Sequence, residues 1–251
     1  MVHESKLHSE NSFVTLTYSD DHLPVDGSLS PEALQRFVKR LRFRVSVLRG
    51  DGGGLAQLRY FAAGEYGDTL GRPHYHLIVF GFFPHDARKW RQVRGHLSYR
   101  SSFLEEVWPF GHVEVGTVSP LSCGYVARYA MKKLTGDAAL EAYVRAHPLT
   151  GQPFTVLPEF ARMSRRPGIG AGWFEKFRSD AFPSDFCVVD GQRVPVPNYY
   201  KLKLGELEQL TVKSKRVARA APHAANRTPE RLKTRAEVVR RRTSILIRPV
   251  E

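Results

Sequence analysis

Cysteine is scarce in these 251 residues: Cys123 and Cys187 are the only two. Two cysteines are too few for a disulfide framework or a thiolate zinc site, and such usage suits a reducing cytoplasm. Long apolar runs are also missing. The longest, through 77–83, falls well short of the ~20 residues a membrane helix needs. The first residues lack the basic-then-apolar pattern of a secretory signal. No Gly-x-x-x-x-Gly-Lys-[Ser/Thr] phosphate loop occurs, so an ATP-driven motor is not among the functions the chain advertises. No internal repeat is found.

What the chain has in quantity is positive charge. Its formal net charge is +13, with a pI near 10.0, which points to a polyanionic partner, of which nucleic acid is the usual one. The charge is unevenly distributed. From residue 201 onward there are 14 Lys+Arg against 5 Asp+Glu, a net of +9, whereas residues 1–200 carry 24 against 20. Clusters such as Lys213-Ser214-Lys215-Arg216 and Arg240-Arg241-Arg242 favour phosphate contact over a merely solubilising tail. Hydrophobic residues make up 42%, which is globular composition, and the length suffices for one core with an appendage. The expected organisation is a domain over 1–200 and a basic, partly helical tail over 201–251.

Asn11–Tyr18 alternates and is rich in β-formers, with Phe13, Thr15 and Thr17 on one face and Val14, Leu16 and Tyr18 on the other. Ser30-Pro31-Glu32 opens a helix with a capping hydroxyl, proline in the first turn and an early acid. Ala33, Leu34, Phe37, Val38, Leu41, Val45 and Leu48 continue it at helical spacing. Strands are expected at 58–64, 74–82 and 112–118, a short helix and a loop in the basic stretch 86–100, and a helix at 102–108. Ser119-Pro120 repeats the capping signature for a helix running to about Leu134. Residues 136–147 are expected to be helical, as are 173–177. Asp190-Gly191 marks a hairpin turn.

Two stretches carry chemistry. In Pro73-His74-Tyr75-His76-Leu77-Ile78-Val79-Phe80 the two histidines stand two apart on a strand, so both imidazoles leave the same face. Neutral imidazoles side by side suit one divalent cation. Glu65, just upstream and joined by a hairpin through 68–72, is positioned to lie beside them as a third ligand. A half-buried surface pair, or a nucleotide hydrolase with histidines on a strand, would use the same pattern. The second stretch is the helix Gly124-Tyr125-Val126-Ala127-Arg128-Tyr129-Ala130-Met131-Lys132-Lys133. Tyr125 and Tyr129 are four apart and share a helical face, with Lys132 and Lys133 beside it. Phenols next to ammonium groups suit phosphoryl transfer through a phosphotyrosine; a helix whose tyrosines pack on the sheet explains the same spacing.

Taken together, the Phe13–Tyr18 strand, the Pro73–Phe80 strand and the Tyr125–Lys133 helix resemble, in order, the three motifs of the HUH endonucleases. Within that superfamily they are most similar to the rolling-circle replication initiators of the Microviridae. The Gly64-Glu65-Tyr66-Gly67 approach, the Tyr-Val-Ala-Arg-Tyr helix and the Met163–Gly170 turn add to the resemblance, which runs from about His8 to Tyr200. It implies an α+β fold, a central antiparallel sheet with flanking helices in a split βαβ arrangement. It implies Mg²⁺ or Mn²⁺ on His74, His76 and Glu65, Tyr125 and Tyr129 as paired nucleophiles, and Lys132 as the catalytic lysine. Arg128, Lys133, Arg165, Arg166, Thr15 and Thr17 are the expected DNA contacts. The implied activity is nicking and joining of a single-stranded origin of a circular phage genome, by a monomer in the bacterial host's cytoplasm, with host helicase and polymerase as partners and no membrane. A transposase or plasmid relaxase of the same superfamily, and a non-catalytic nucleic-acid-binding protein, are the alternatives.

Overall fold

The computed structural model describes residues 1–51, 54–93, 95–129, 142–147 and 150–245. Lys132 and Lys133 lie outside them. Two compact units divide the chain, Met1–Gly172 and Trp173–Glu251.

In the first unit the elements run α1 (Val2–Ser5), β1 (Asn11–Thr17), α2 (Pro31–Arg49), β2 (Arg59–Tyr66), β3 (Pro73–Phe80), β4 (Arg88–Val93), β5 (His96–Arg100), α3 (Ser102–Val107), β6 (Val113–Thr117), α4 (Pro120–Tyr129), β7 (Val144–Ala146), β8 (Pro153–Thr155) and β9 (Phe160–Met163). Seven strands form one antiparallel sheet in the order β4-β5-β6-β1-β3-β2-β9. β1 and β2 are both antiparallel to β3, so they are parallel to each other, with β3 inserted between them and α2 as the crossover. That is the expected split βαβ unit.

Sequence periodicity dictates which face goes where. Val14 and Leu16 of β1, Ala62 of β2 and Tyr75, Leu77 and Val79 of β3 point to one side and are buried. The apolar stripe of α2, including Leu34, Phe37, Leu41 and Val45, packs into the same core. The helix begins where the capping signature put it: Ser30 Oγ accepts a hydrogen bond from the Ala33 N–H at 3.1 Å. It ends at Gly50, whose φ of 70° is left-handed. On the opposite face Phe61, Ala63, Ile78 and Phe80 pack with Tyr125 and Val126 of α4. β3 is therefore buried on both sides along its whole length, which explains its near-continuous apolar character. Gly111 closes against the end of β1 so tightly that a Cβ there would collide with the backbone of Thr17, Tyr18 and Ser19.

Two expectations fail. The stretch 86–100 is not a short helix and a loop but the β4–β5 hairpin at one edge of the sheet. Its strand alternation is hidden by charge: Arg88, Lys89 and Arg91 lie on an edge strand, where charge blocks unwanted pairing rather than signalling a loop. Residues 144–146 are not helical either; they pair with 153–155 as a short hairpin. Arg145 is drawn into tertiary contacts that no local pattern reveals. Its guanidinium lies 4.3 Å from the Tyr66 ring centroid and donates to the Gly71 carbonyl at 3.2 Å. The expected helix to Leu134 is described as far as Tyr129.

The remaining elements are α5 (Ala171–Ala181), β10 (Phe186–Val189), β11 (Gln192–Pro195), α6 (Asn198–Leu202), α7 (Glu206–Ala220) and α8 (Pro229–Ile245). The β10–β11 turn is Asp190-Gly191, both with positive φ (50° and 74°), as a two-residue hairpin requires. Asp185 gathers Arg216 and Arg219 of α7, with Arg216 Nε at 2.7 Å. The basic clusters of the tail thus stand on helices, and Arg240, Arg241 and Arg242 of α8 are exposed. Among the described residues no helix is long and apolar enough to cross a membrane.

The first helix is tied to the sheet by one carboxylate. Glu4 is buried and accepts hydrogen bonds from the Arg59 guanidinium of β2 and from the Gly170 N–H at 2.6 Å. Arg59 also donates to the carbonyls of Pro167 and Gly168, at 2.8 and 3.0 Å. Burial pushes the Glu4 carboxyl up, but the hydrogen bonds from Gly170, Arg59 and His8 outweigh it and hold it below the ordinary value. A depressed folded-state value means stability that is complete above the unfolded-state value of about 4.3 and lost as pH falls through the folded one. Glu4→Gln is expected to cost about 3 kcal/mol at neutral pH. The gap between variant and wild type should narrow as the pH of a denaturant titration is lowered below about 4.

Candidate active site

The register of three strands assembles the site. β2 meets β3 with Glu65 opposite His74 and Ala63 opposite His76; β1 meets β3 from the other side with Thr15 opposite His76 and Thr17 opposite His74. Alternation sends all of these side chains except the small Ala63 methyl out as polar groups on the face away from α2. Glu65, His74 and His76 are buried there.

One carboxylate oxygen is the focus. Glu65 Oε1 lies 2.7 Å from His74 Nε2 and 2.9 Å from His76 Nε2. Behind the rings, His74 Nδ1 sits 3.1 Å from the Arg72 carbonyl and His76 Nδ1 sits 3.0 Å from Thr15 Oγ1. A carbonyl only accepts, so His74 Nδ1 carries a proton and its Nε2 is the nitrogen left for Glu65 or a cation. Thr15 can complete the same arrangement for His76 by accepting. The His76 ring is held flat against Phe13, centroids 5.7 Å apart and planes 8° from parallel.

Isolating a carboxylate from water costs several kcal/mol, so a fully buried Glu65 needs compensation close by. Burial raises its carboxyl, while hydrogen bonds and positive charge from His74 and His76 win and bring it below the ordinary range. A cation would serve the same end. The three ligand atoms all lie within 4.8 Å of one another. Ligands about 2.1 Å from one ion and at right angles stand about 3 Å apart, close to the spacings from Oε1 to the two nitrogens. The residues present therefore fit a divalent cation. Two imidazoles with one carboxylate form a mixed donor set, which suits a first-row ion such as Mn²⁺ better than Mg²⁺, which prefers oxygen.

The helix over this cluster is α4. Its start is fixed by reciprocal bonds, Ser122 N–H to Ser119 Oγ at 3.2 Å and Ser119 N–H to Ser122 Oγ at 2.8 Å. This places Tyr125 on the sheet. Its ring stands edge-on to His76, centroids 5.1 Å apart, and edge-on to Phe13 at 5.9 Å. Tyr125 is buried at 6% exposure. Tyr129 ends α4 one turn later, and Arg128, the residue before it, is half-buried. Lys132 and Lys133 fall beyond the described part of the helix.

The other expected site residues are dispersed. Thr15 braces His76, and Thr17 Oγ1 donates to the His112 carbonyl at 3.3 Å. Arg165 and Arg166 are exposed in the turn that follows β9, which Ser164 ties to Tyr60 at the start of β2. Glu65 lies five residues farther along that strand, about 17 Å away. Not anticipated were the Arg72 carbonyl, the Phe13 stack and the hydrogen bond between Thr15 and His76. Alternation put Phe13 and Thr15 on one face; only the pairing of β1 with β3 shows which histidine they meet.

The family model for the replication-associated protein ORF2 group matches residues 11–134, about half the chain, from β1 past α4. The replication-associated protein VP4 of Bdellovibrio phage phiMH2K is 36% identical over 207 residues, 79% of this chain and 59% of that protein. The replication-associated protein ORF4 of Chlamydia phage 1 is 30% identical over 209 residues, 81% and 48%. The replication-associated protein ORF2 of Spiroplasma virus 4 is 30% identical over 203 residues, 77% and 58%. The chain spans about half to three-fifths of the length of these relatives. No solved structure matches it. The matched segment begins at the strand bearing Phe13 and Thr15 and takes in Glu65, both histidines and Tyr125, so that the chain belongs to the replication-associated protein ORF2 family, alongside these phage proteins.

Proposed function

We propose that this protein is an HUH-type endonuclease that nicks and rejoins single-stranded DNA at the origin of a phage genome. The observation that carries the proposal is the Tyr125 ring 5.1 Å from His76, above a buried Glu65-His74-His76 cluster fit for a cation. A non-catalytic DNA-binding protein would have no use for a carboxylate and two imidazoles converging out of reach of solvent.

In this reading Glu65, His74 and His76 hold a divalent ion, which when bound supplies Lewis-acid polarisation of the scissile phosphate. The Tyr125 oxygen attacks phosphorus and forms a new P–O bond while the P–O3′ bond breaks. The phenol loses its proton to water and the departing 3′ oxygen gains one, so charge and atoms balance. The product is a 5′-phosphotyrosine and a free 3′-OH able to prime a polymerase. The ester conserves the energy of the broken bond, which accounts for a joining step without ATP. Tyr129, one helical turn on, is the second nucleophile, able to cut the regenerated junction and let the first end be rejoined. Lys132 is assigned to stabilising phosphate charge, and Arg128, Lys133, Arg165, Arg166, Thr15 and Thr17 to contacts with the DNA. Host helicase and polymerase supply unwinding and synthesis.

Within the cluster the supporting groups have separate roles. Thr15 and the Arg72 carbonyl hold the ring nitrogens that face away from Glu65, so each imidazole presents Nε2 without rotating. Phe13 fixes the plane of His76 against which Tyr125 stands. Pre-set orientation of this kind is what lets a nucleophile approach a bound phosphate without reorganising its surroundings.

Three outcomes test this. Incubation with labelled single-stranded origin DNA and Mn²⁺ should leave a covalent adduct that survives a denaturing gel, and the Tyr125→Phe, Tyr129→Phe double variant should form none; an adduct in the double variant rejects the nucleophiles. His76→Ala is expected to lower cleavage by at least ~100-fold, and a chelator should abolish it in the wild type; cleavage indifferent to chelator rejects the cation. In titrations of the two ions, Mn²⁺ should restore activity at lower concentration than Mg²⁺, as the two imidazole donors require.

A further inference from the structure

Across the sheet from the histidines lies a surface that the chemistry above leaves unused. The cross-strand row next to His76 runs Ile78 on β3, Phe13 on β1, Gly116 on β6, Ser98 on β5 and Arg91 on β4. Residues opposite one another in antiparallel strands share a face, so all five look the same way as the histidines. The two in the middle, Gly116 and Ser98, have almost no side chain and are half-buried. The row is therefore a shallow trough, with an aromatic ring at the site end and the β4–β5 hairpin at the other.

That hairpin carries a bulge. Lys89 pairs with Tyr99, but Arg91 pairs with Ser98, which leaves Trp90 as the extra residue. Bulges redirect a side chain out of the regular alternation and recur next to functional sites. Trp90 is 56% exposed. The Arg100 guanidinium lies 4.6 Å from its ring centroid, and Arg100, two residues from Ser98, shares the histidine face. Arg91 is held by Glu114 at 2.7 Å and Arg100 by Glu105 at 3.1 Å, so neither is a fully available cation. Arg88 and Lys89 on the same strand leave the hairpin basic. An indole set on an arginine in a basic strand, joined by an open trough to a phosphate-cleaving site, matches what a single-stranded nucleic acid needs: a stacking platform with cations tracking the backbone.

We propose that the Trp90 platform is a second binding site for single-stranded DNA, where a base of the strand stacks beyond the scissile linkage. The proposal deepens the endonuclease reading and rests on it for the identity of the ligand. Four strand spacings of about 4.8 Å separate β3 from β4, about 19 Å, the length of roughly six stacked nucleotides at about 3.4 Å each. The strand leaving the histidine cluster along the trough thus reaches Trp90 within a short stretch of sequence. Duplex DNA presents no free base to the indole and gains nothing there.

Tryptophan fluorescence of the full chain gives a direct test, because Trp108 and Trp173 are buried at 0% and 7% exposure and Trp90 alone of the three is open to a quencher. The protein is titrated with a polythymidylate oligonucleotide, with duplex DNA of the same length as control, in a chelator so that no cleavage intervenes. Single strand should quench the emission and duplex should not, and the quench should vanish in Trp90→Phe. Trp90→Ala should bind the oligonucleotide about 10-fold more weakly, and Trp90→Phe, which still stacks, should recover most of that loss. Unchanged emission, equal quenching by duplex, or Trp90→Ala binding within about two-fold of wild type would overturn the proposal. The outcome separates from that of the endonuclease reading. An adduct in Mn²⁺ with normal binding by Trp90→Ala rejects only the platform; Trp90-dependent quenching in a wild type that forms no adduct rejects only the phosphotyrosine chemistry.

Discussion

The site depends on a buried carboxylate that cannot stand alone. Glu65 has no access to water, and several kcal/mol of desolvation must be offset within hydrogen-bonding distance. His74 and His76 offset it only because β2 and β3 pair in the one register that sets Glu65 opposite His74. A slip of one residue would turn the histidines toward α2 and Tyr75 and Leu77 toward α4. Register, and with it the site, is therefore enforced by the hydrophobic pattern on the other side of the same strands.

The two faces of the sheet divide the work. On one, α2 buries Val14, Leu16, Leu77 and Val79 and supplies most of the apolar burial, at roughly 1.5–3 kcal/mol per large side chain. On the other, α4 covers only part of the surface. It brings Tyr125 to His76 and leaves the row through Gly116 and Ser98 half-open toward the β4–β5 edge. A face closed over its whole width would hold the residues and admit no polymer; one left fully open would not keep water from Glu65. The partial cover reconciles a dry cluster with access for a strand of DNA.

Charge is arranged in keeping with this division. Around the cluster the arginines are used structurally: Arg59 clamps Glu4 and the 167–168 carbonyls, Arg145 packs on Tyr66, and Arg91 pairs with Glu114. The excess positive charge resides in the helices after residue 200, where clustered, exposed cations favour non-specific attraction of a polyanion. Relatives with this segment in common are phage replication-associated proteins, for which a long anionic substrate is the natural context.

Much of this was legible in residue order. Period-two alternation alone put His74 and His76 on one face of their strand and Phe13 and Thr15 on one face of theirs, and the Ser30-Pro31 signature marked the start of α2 to the residue. Those features are local: side-chain direction along a strand and capping of a helix follow from a few neighbours. The β4–β5 hairpin and the β7 strand escape a local reading because charge obscures the first and a distant partner, Tyr66, decides the second. Which strand lies beside which, that Thr15 meets His76 rather than His74, and that a bulge turns Trp90 outward toward Arg100 belong to tertiary structure. Such facts arise from pairings between segments dozens of residues apart, whose energies no short window of sequence contains.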